Sequence, residues 1–379
     1  MKNTTFVLFA IVFLLGAGTG VQAQRYHLLG PMSRLLRGQS LSMPAPPEQS
    51  ILDWHFENKK RLPRFPLHQI TLEQLSQNRR VYRSALTQLL KLDDYPAMPE
   101  PGLKILENAE AAPGIRREKI SIETEPGLWV PFYFFSRVKG PPQPLVLVLH
   151  GHSAGKIETA GLVPSYQNGN ALALAQAGFT VAAPDFRGFG ELGSTADFND
   201  RRGHKLAKSI HVQESIFELE EGKSLLGAYL HDLNLLLNYA VTRPEADASK
   251  IGVAGTSLGA DVALWLTGLE DRIKAAAIYY PSFFETALKP DYGRPPHLCI
   301  RPLPGIRKFF QPKEIPLLAA NVPLKIQYRP GDIQSPLEMK LRKIYGDGKS
   351  AGRLDLIASQ KPEFFDNDAA IGWFRRWLS

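Results

Sequence analysis

A serine becomes an acyl-transfer nucleophile when the chain holds its hydroxyl out, supplies a base for its proton, and aims N–H donors at the developing negative charge. Gly255-Thr256-Ser257-Leu258-Gly259 has the G-x-S-x-G spacing that meets the first need. The apolar run "IGVA" leads into it and the amphipathic stretch "LGADVALWLTGL" leads out. A strand that passes into a helix through so tight a turn needs small residues at 255 and 259, and the turn aims the helix N-terminus at the serine. The plainer reading is a structural turn. In the chemical reading, one oxyanion donor is the N–H of Leu258. The other comes from the loop after "LVLVLHG", at His152 or Ser153. His150 and His152 also have a plainer role, that of shaping this loop.

An elbow of this kind is followed in the chain by its acid and then by its histidine. Asp332 lies in a Gly-Asp turn after the strand-like "PLKIQYR" and is the candidate acid; its plainer role is to cap that turn. The nine histidines are His27, His55, His68, His150, His152, His204, His211, His231 and His297, so none follows Asp332. The loop before the last helical stretch reads "SQKPEFFDND" and offers Lys361, Pro362 and Glu363. Four groups are candidate surrogate bases. His204 and His211 lie in "NDRRGHKLAKSIHVQES", which reads as a lid; Lys361 would have to be desolvated, and Glu363 would need its pKa raised by burial. His231 falls in a long helical stretch and reads as a packing residue.

The surrounding elements are legible from their periods. "PLVLVLHG", "TVAAPDFRGFG", "KIGVAG", "IKAAAIYY", "PLKIQYR" and "RLDLIAS" read as short buried strands. Helical patterns alternate with them in "ALALAQAGF", from Ser224 to about Arg243, after Ser257, and in "AAIGWFRRWL". "EKISIETEPGLWVPFYFFSR" reads as two strands around a Pro-Gly turn. This alternation predicts an α/β fold, a mostly parallel sheet covered on both faces, with chemistry at the C-terminal strand ends. Those ends carry His150-Gly151, Asp185, Ser257, Tyr280-Pro281 and Asp332. Upstream, "TLEQLSQNRRVYRSALTQLLKL" has leucines at helical spacing and a Thr71/Gln74 capping-box pair.

The first 23 residues combine Lys2, the apolar run Phe6–Leu15 and the small-residue site Val21-Gln22-Ala23. This predicts a signal peptide cleaved after Ala23, and a secreted or periplasmic chain with no stable membrane anchor. Residues 24–50 read as a flexible arm, 51–116 as a helical extension, and 117–379 as the α/β domain. Cys299 is the only cysteine, which excludes an intrachain disulfide and reads as a small buried side chain. The formal charge of +8 is scattered in short clusters and no nucleic-acid motif accompanies it. No cluster of His, Asp and Glu has ligand spacing, so neither a metal nor a cofactor is expected.

Several segments together resemble the acetyl xylan esterase and dienelactone hydrolase branch of the α/β-hydrolase superfamily. They are "HGHSAGK", "PDFRGFGE", the long run from "LLGAYLHDL" through "GVAGTSLGADVALWLTGLEDRIKAA", and "HLCIRPLPGI". The similarity runs from roughly Trp54 to the C-terminus. It implies an α/β-hydrolase fold with an N-terminal helical extension, and hydrolysis of small esters or acetylated carbohydrates by a Ser-Asp-His triad. Ser257 and Asp332 match that triad, while Pro362 stands where the resemblance expects histidine. Two readings follow: an exported serine esterase whose base is absent or displaced, and a catalytically silent hydrolase scaffold that binds carbohydrate or protein.

Overall fold

The computed structural model describes residues 63–193, 207–282, 299–320, 322–330, 335–346, 352–359 and 364–379. The segments read as signal peptide and arm lie outside these residues. The leucine-rich stretch near the start forms two helices, α1 (Leu72–Gln77) and α2 (Arg79–Leu89). The expected capping box is present: Thr71 Oγ1 accepts from the Gln74 N–H, and the Gln74 side chain accepts from the Thr71 N–H. The single helix expected there is broken at Asn78, whose side-chain amide donates to the Gln74 carbonyl at 2.8 Å. Leu75, Tyr82, Leu86 and Leu89 are buried, so the amphipathic face covers the core as its spacing requires.

Three antiparallel strands follow, β1 (Leu103–Ala112), β2 (Ile115–Glu125) and β3 (Leu128–Arg137). The last two are the hairpin expected around Pro126-Gly127. Strand β1 lies within the 51–116 stretch read as helical. Its Leu103, Ile105 and Leu106 are all exposed, so burial imposes no alternation that the sequence could display.

The apolar runs become β4 (Gln143–Leu149), β5 (Thr180–Pro184), β6 (Ala246–Thr256), β7 (Ile273–Tyr279), β8 (Leu324–Tyr328) and β9 (Leu354–Ala358). Among the described residues the sheet has the order β1-β2-β3-β5-β4-β6-β7-β8-β9, with β5 through β9 all parallel. Alternate side chains of β4 serve the two faces. Leu145, Leu147 and Leu149 join one core, while Val146 and Val148 join the other.

Between the strands run α3 (Asn170–Gln176), α4 (Ala207–Glu220), α5 (Leu225–Ala240), α6 (Leu258–Leu269), α7 (Ser335–Tyr345) and α8 (Asn367–Trp377). Helices α2, α5 and α6 pack on one face of the sheet, and α3 and α8 on the other. The chain leaves β4 for β5 on one side and returns to β6 on the other. Sheet order therefore reverses at the C-terminal end of β4, the place where open α/β sheets bind their ligands. Among the described residues no helix is long and apolar enough to cross a membrane.

Candidate active site

Ser257 stands between β6 and α6, at the reversal point. Its backbone has φ 55° and ψ −117°, a conformation L-residues seldom adopt. Its N–H donates to the Tyr279 carbonyl on β7 at 2.8 Å, and its carbonyl accepts from the Asp261 N–H one helical turn on. The flanking glycines are required by contact. A Cβ at Gly255 would fall 2.2 Å from the Gly259 carbonyl oxygen, and one at Gly259 would fall 2.2 Å from that of Leu149. The turn thus packs its own two ends together and packs the helix start against the end of β4. Leu258, at the first position of α6, is fully buried. Its N–H has no earlier helical carbonyl to bind, which is the condition for an oxyanion donor.

The loop after β4 runs beside this turn. A Cβ on Gly151 would lie 3.1 Å from the Ser257 Cβ and 2.2 Å from the Tyr166 hydroxyl. Loop, serine and phenol therefore share one small space that admits only hydrogen at position 151. His152 and Ser153, the candidate second donors, follow directly. Ser153 Oγ accepts from the Gly155 N–H at 3.3 Å. His150 shapes the loop. Its Nε2 accepts from the Phe186 N–H at 3.0 Å, so its proton is on Nδ1, 2.7 Å from the Gly151 carbonyl. Complete burial lowers its pKa and keeps it neutral, against the opposing pull of Asp185.

Asp185, at the end of β5, fixes the far side of the loop. Its carboxylate accepts from the Lys156 N–H at 2.7 Å, the Lys156 ammonium at 2.6 Å and the Glu191 N–H at 3.0 Å. Lys156 also pairs with Glu191 and is fully buried. Burial works to lower the Lys156 pKa, but the two carboxylates more than reverse it and hold the ammonium charged. Glycine is needed at 155 and 190, where φ is 83° and 53° and a Cβ would meet the Asp185 carboxylate at 2.2 Å in each case.

Helix α4, which contains the described part of the segment read as a lid, packs against the same loop. The Cα of Gly188 comes so near the backbone of His211 that a Cβ there would lie 2.7 Å from the His211 Cα. The His211 ring stacks on Phe189 at 4.7 Å and lies edge-on to His152 at 4.9 Å. Farther along α4, Glu218 accepts from the Tyr95 hydroxyl at 2.9 Å and pairs with Arg187, which also grips Asp232 of α5 bidentately. Cys299 Sγ sits 3.5 Å from His152 Nε2. Burial pushes the Cys299 thiol up to about 12, so without a cation beside it the thiol is protonated.

Of the sequence-derived candidates, the structure places Ser257 and Leu258 after β6 and His152 and Ser153 after its neighbour β4, joined through the approach of Gly151 to Ser257, and brings His211 against His152. Asp332, His204, Lys361, Pro362 and Glu363 lie outside the described residues. The chain nearest that last group is tied to the site, because the Phe365 N–H donates to the Tyr166 carbonyl at 2.9 Å. Sequence reasoning missed Tyr166, since nothing in "VPSYQNGN" distinguishes a loop tyrosine whose hydroxyl crowds the same glycine as the serine. It also missed the grouping of His152, His211 and Cys299, whose ligand atoms all lie within 4.8 Å of one another. That grouping departs from the expectation of no metal-ligand set. The three residues are far apart in sequence, so no local spacing displays them.

The sequence matches the abhydrolase family over residues 49–309. It is 27% identical over 267 residues to a Bacillus subtilis (strain 168) protein named as a hydrolase, YtaP, covering 65% of this chain and 83% of that one. A Bacteroides fragilis structure named as an acetyl xylan esterase superposes with a TM-score of 0.64 at 19% identity, over 86% of this chain and 88% of the other. The methylesterase BT1017 superposes with a TM-score of 0.58 at 18% identity, over 80% and 64%. These two likenesses carry the fold.

Proposed function

Because this chain belongs to the α/β-hydrolase family, we propose that it hydrolyses carboxylic esters with Ser257 as nucleophile, and that acylated carbohydrate is its substrate class. The backbone of Ser257 carries the reading. A φ of 55° at a non-glycine residue between a buried strand and a buried helix has a cost, and a sharp strained strand-to-helix turn is the conformation that presents a nucleophilic serine. The substrate class draws on the motif resemblance and on the fold neighbour named as an acetyl xylan esterase. In this reading residues 1–23 direct the chain out of the cytoplasm.

The chemistry proceeds from the site outward. Ser257 Oγ attacks the ester carbonyl, and the carbonyl oxygen takes up negative charge. The N–H of Leu258 and an N–H of the His152-Ser153 segment receive it. Asp332, a few residues past β8 in the sequence, is the acid in this proposal. The base is the weak part, because no histidine follows Asp332. In one well-studied serine protease, loss of that histidine lowers the catalytic rate by about 10⁶, while the oxyanion hole and binding retain roughly 10³–10⁴ over water. Turnover here is accordingly slow, with the Ser257 proton passing to solvent or to a displaced group among His204, His211, Lys361 and Glu363. Pro362 favours a second reading, a silent scaffold that binds carbohydrate or protein without cleaving anything.

The test is hydrolysis of p-nitrophenyl acetate by the purified chain beside Ser257→Ala, together with labelling by a fluorophosphonate. The esterase reading expects a rate that falls at least about tenfold in the variant, and a label confined to Ser257. Equal rates and no label would overturn it in favour of the scaffold.

A further inference from the structure

We propose that His152, His211 and Cys299 form a binding site for a borderline divalent transition metal, zinc above all, beside the nucleophile turn. The donors come from three separate parts of the fold: the loop after β4, helix α4, and the chain at 299. One ligand atom from each falls within 4.8 Å of the other two. Tetrahedral zinc holds nitrogen at about 2.0–2.1 Å and sulfur at about 2.3 Å, which separates neighbouring N and S donors by about 3.6 Å. Cys299 Sγ and His152 Nε2 already stand 3.5 Å apart. With every pair of ligand atoms within 4.8 Å, no pair has more than about 1.5 Å to close to reach tetrahedral spacing.

The donor set selects the ion. Two imidazoles and a thiolate exclude magnesium and calcium, which take oxygen ligands, and suit zinc or cobalt. Binding replaces the thiol proton with the metal; one proton passes to solvent and the S–metal bond forms. The site then carries one positive charge, from a dication and a thiolate. Three protein donors leave a tetrahedral ion one further position for a ligand from outside this set. The surroundings are aromatic. Phe189 stacks on His211 and lies edge-on to His152, which limits how far either ring can turn away.

The consequence is mechanical as well as chemical. His152 is next to Gly151, which touches Ser257, so an ion here would pin the candidate oxyanion loop to α4. The inference stands whether or not Ser257 turns over an ester, and its test reads the metal directly. Full-length protein, purified without a histidine tag and stripped with chelator, is titrated with Zn²⁺ against a chromogenic chelator and separately with Co²⁺. We expect one equivalent of zinc. With cobalt we expect tetrahedral visible bands and a near-ultraviolet thiolate-to-cobalt charge-transfer band. Cys299 is the only cysteine, so that band reports this site alone. Cys299→Ser abolishes the band, and both it and His211→Gln weaken zinc binding by more than the roughly 10- to 100-fold that follows loss of a group merely supporting a ligand. A wild-type protein that takes up no stoichiometric zinc, or binds cobalt without the thiolate band, overturns the proposal however the variants fold.

Discussion

Replacing Ser257 by glycine should abolish any chemistry at this site and yet leave the fold more stable than Ser257→Ala. Both variants lack the hydroxyl, so its contacts cancel between them. They differ in the Cβ that alanine keeps at φ 55°, ψ −117°. Holding a side chain in such a region costs of order 1–3 kcal/mol, and glycine releases most of it. Against this, glycine gains about 0.4–1 kcal/mol of extra freedom in the unfolded chain. It also forfeits the partial burial of one methyl, about 0.4 kcal/mol for a half-buried position. The balance favours Ser257→Gly by about 1 kcal/mol. In a chain of this size that is about 2 °C in Tm.

The assay is parallel urea and thermal unfolding of the two variants, with Ser84→Gly and Ser84→Ala as an internal control. Ser84 lies mid-helix in α2, where glycine should be the worse by about 1 kcal/mol. Opposite signs at the two positions are expected. If glycine is the worse residue at 257 as well, the turn is unstrained and the argument from strain to nucleophile fails.

Three further outcomes follow from the same geometry. Lys156→Met leaves Asp185 buried without its cation and should cost about 3–5 kcal/mol in chemical unfolding; a loss under about 1 kcal/mol would mean that the ion cluster does not hold the loop. His150 has a depressed folded-state pKa because it is buried. The unfolded chain therefore takes up its proton first, and stability that is complete above about pH 6.5 declines as pH falls from there; unfolding midpoints measured from pH 8 to 5.5 should show this slope, and His150→Gln should flatten it. Tyr166→Phe keeps the ring and removes the hydroxyl beside Ser257, so kcat/KM on an activated ester should fall about fivefold, the worth of about one hydrogen bond, while Tm barely moves.

How far the sequence reaches depends on whether the physical constraint is local. The glycines at 255 and 259, the Thr71/Gln74 cap and the apolar strands each satisfy a need within a few residues, so all are visible in one dimension. The parallel sheet follows because "VLVL" and "IGVA" can leave neither face in water. The break at Asn78 was not legible, since the leucine spacing continues across it. Strand β1 was not, because its side chains are exposed and its partner supplies the backbone hydrogen bonds. Lys156 looks like a solvated lysine until Asp185 and Glu191 arrive from later in the chain. The pairing of His211 with His152, and of both with Cys299, depends on packing α4 over Gly188, and nothing near any of the three announces it.

In the proposed reading the described residues supply the parts that bind and stabilise charge: the Ser257 turn, the N-terminus of α6 and a loop braced by Asp185. A triad histidine also does a second job, protonating the alcohol as it leaves. A phenolate such as p-nitrophenolate departs without that proton, whereas the alkoxide of a sugar does not. The ratio of rates on p-nitrophenyl acetate and on an acetylated sugar therefore separates the two readings more sharply than either rate alone. A Ser257-dependent rate on both substrates requires an acid near the ester oxygen, and the surrogate groups would then be substituted in turn. A Ser257-dependent rate on the aryl ester alone, with saturable sugar binding, means that the turn is intact while the proton relay is not, and that the fold serves as a receptor.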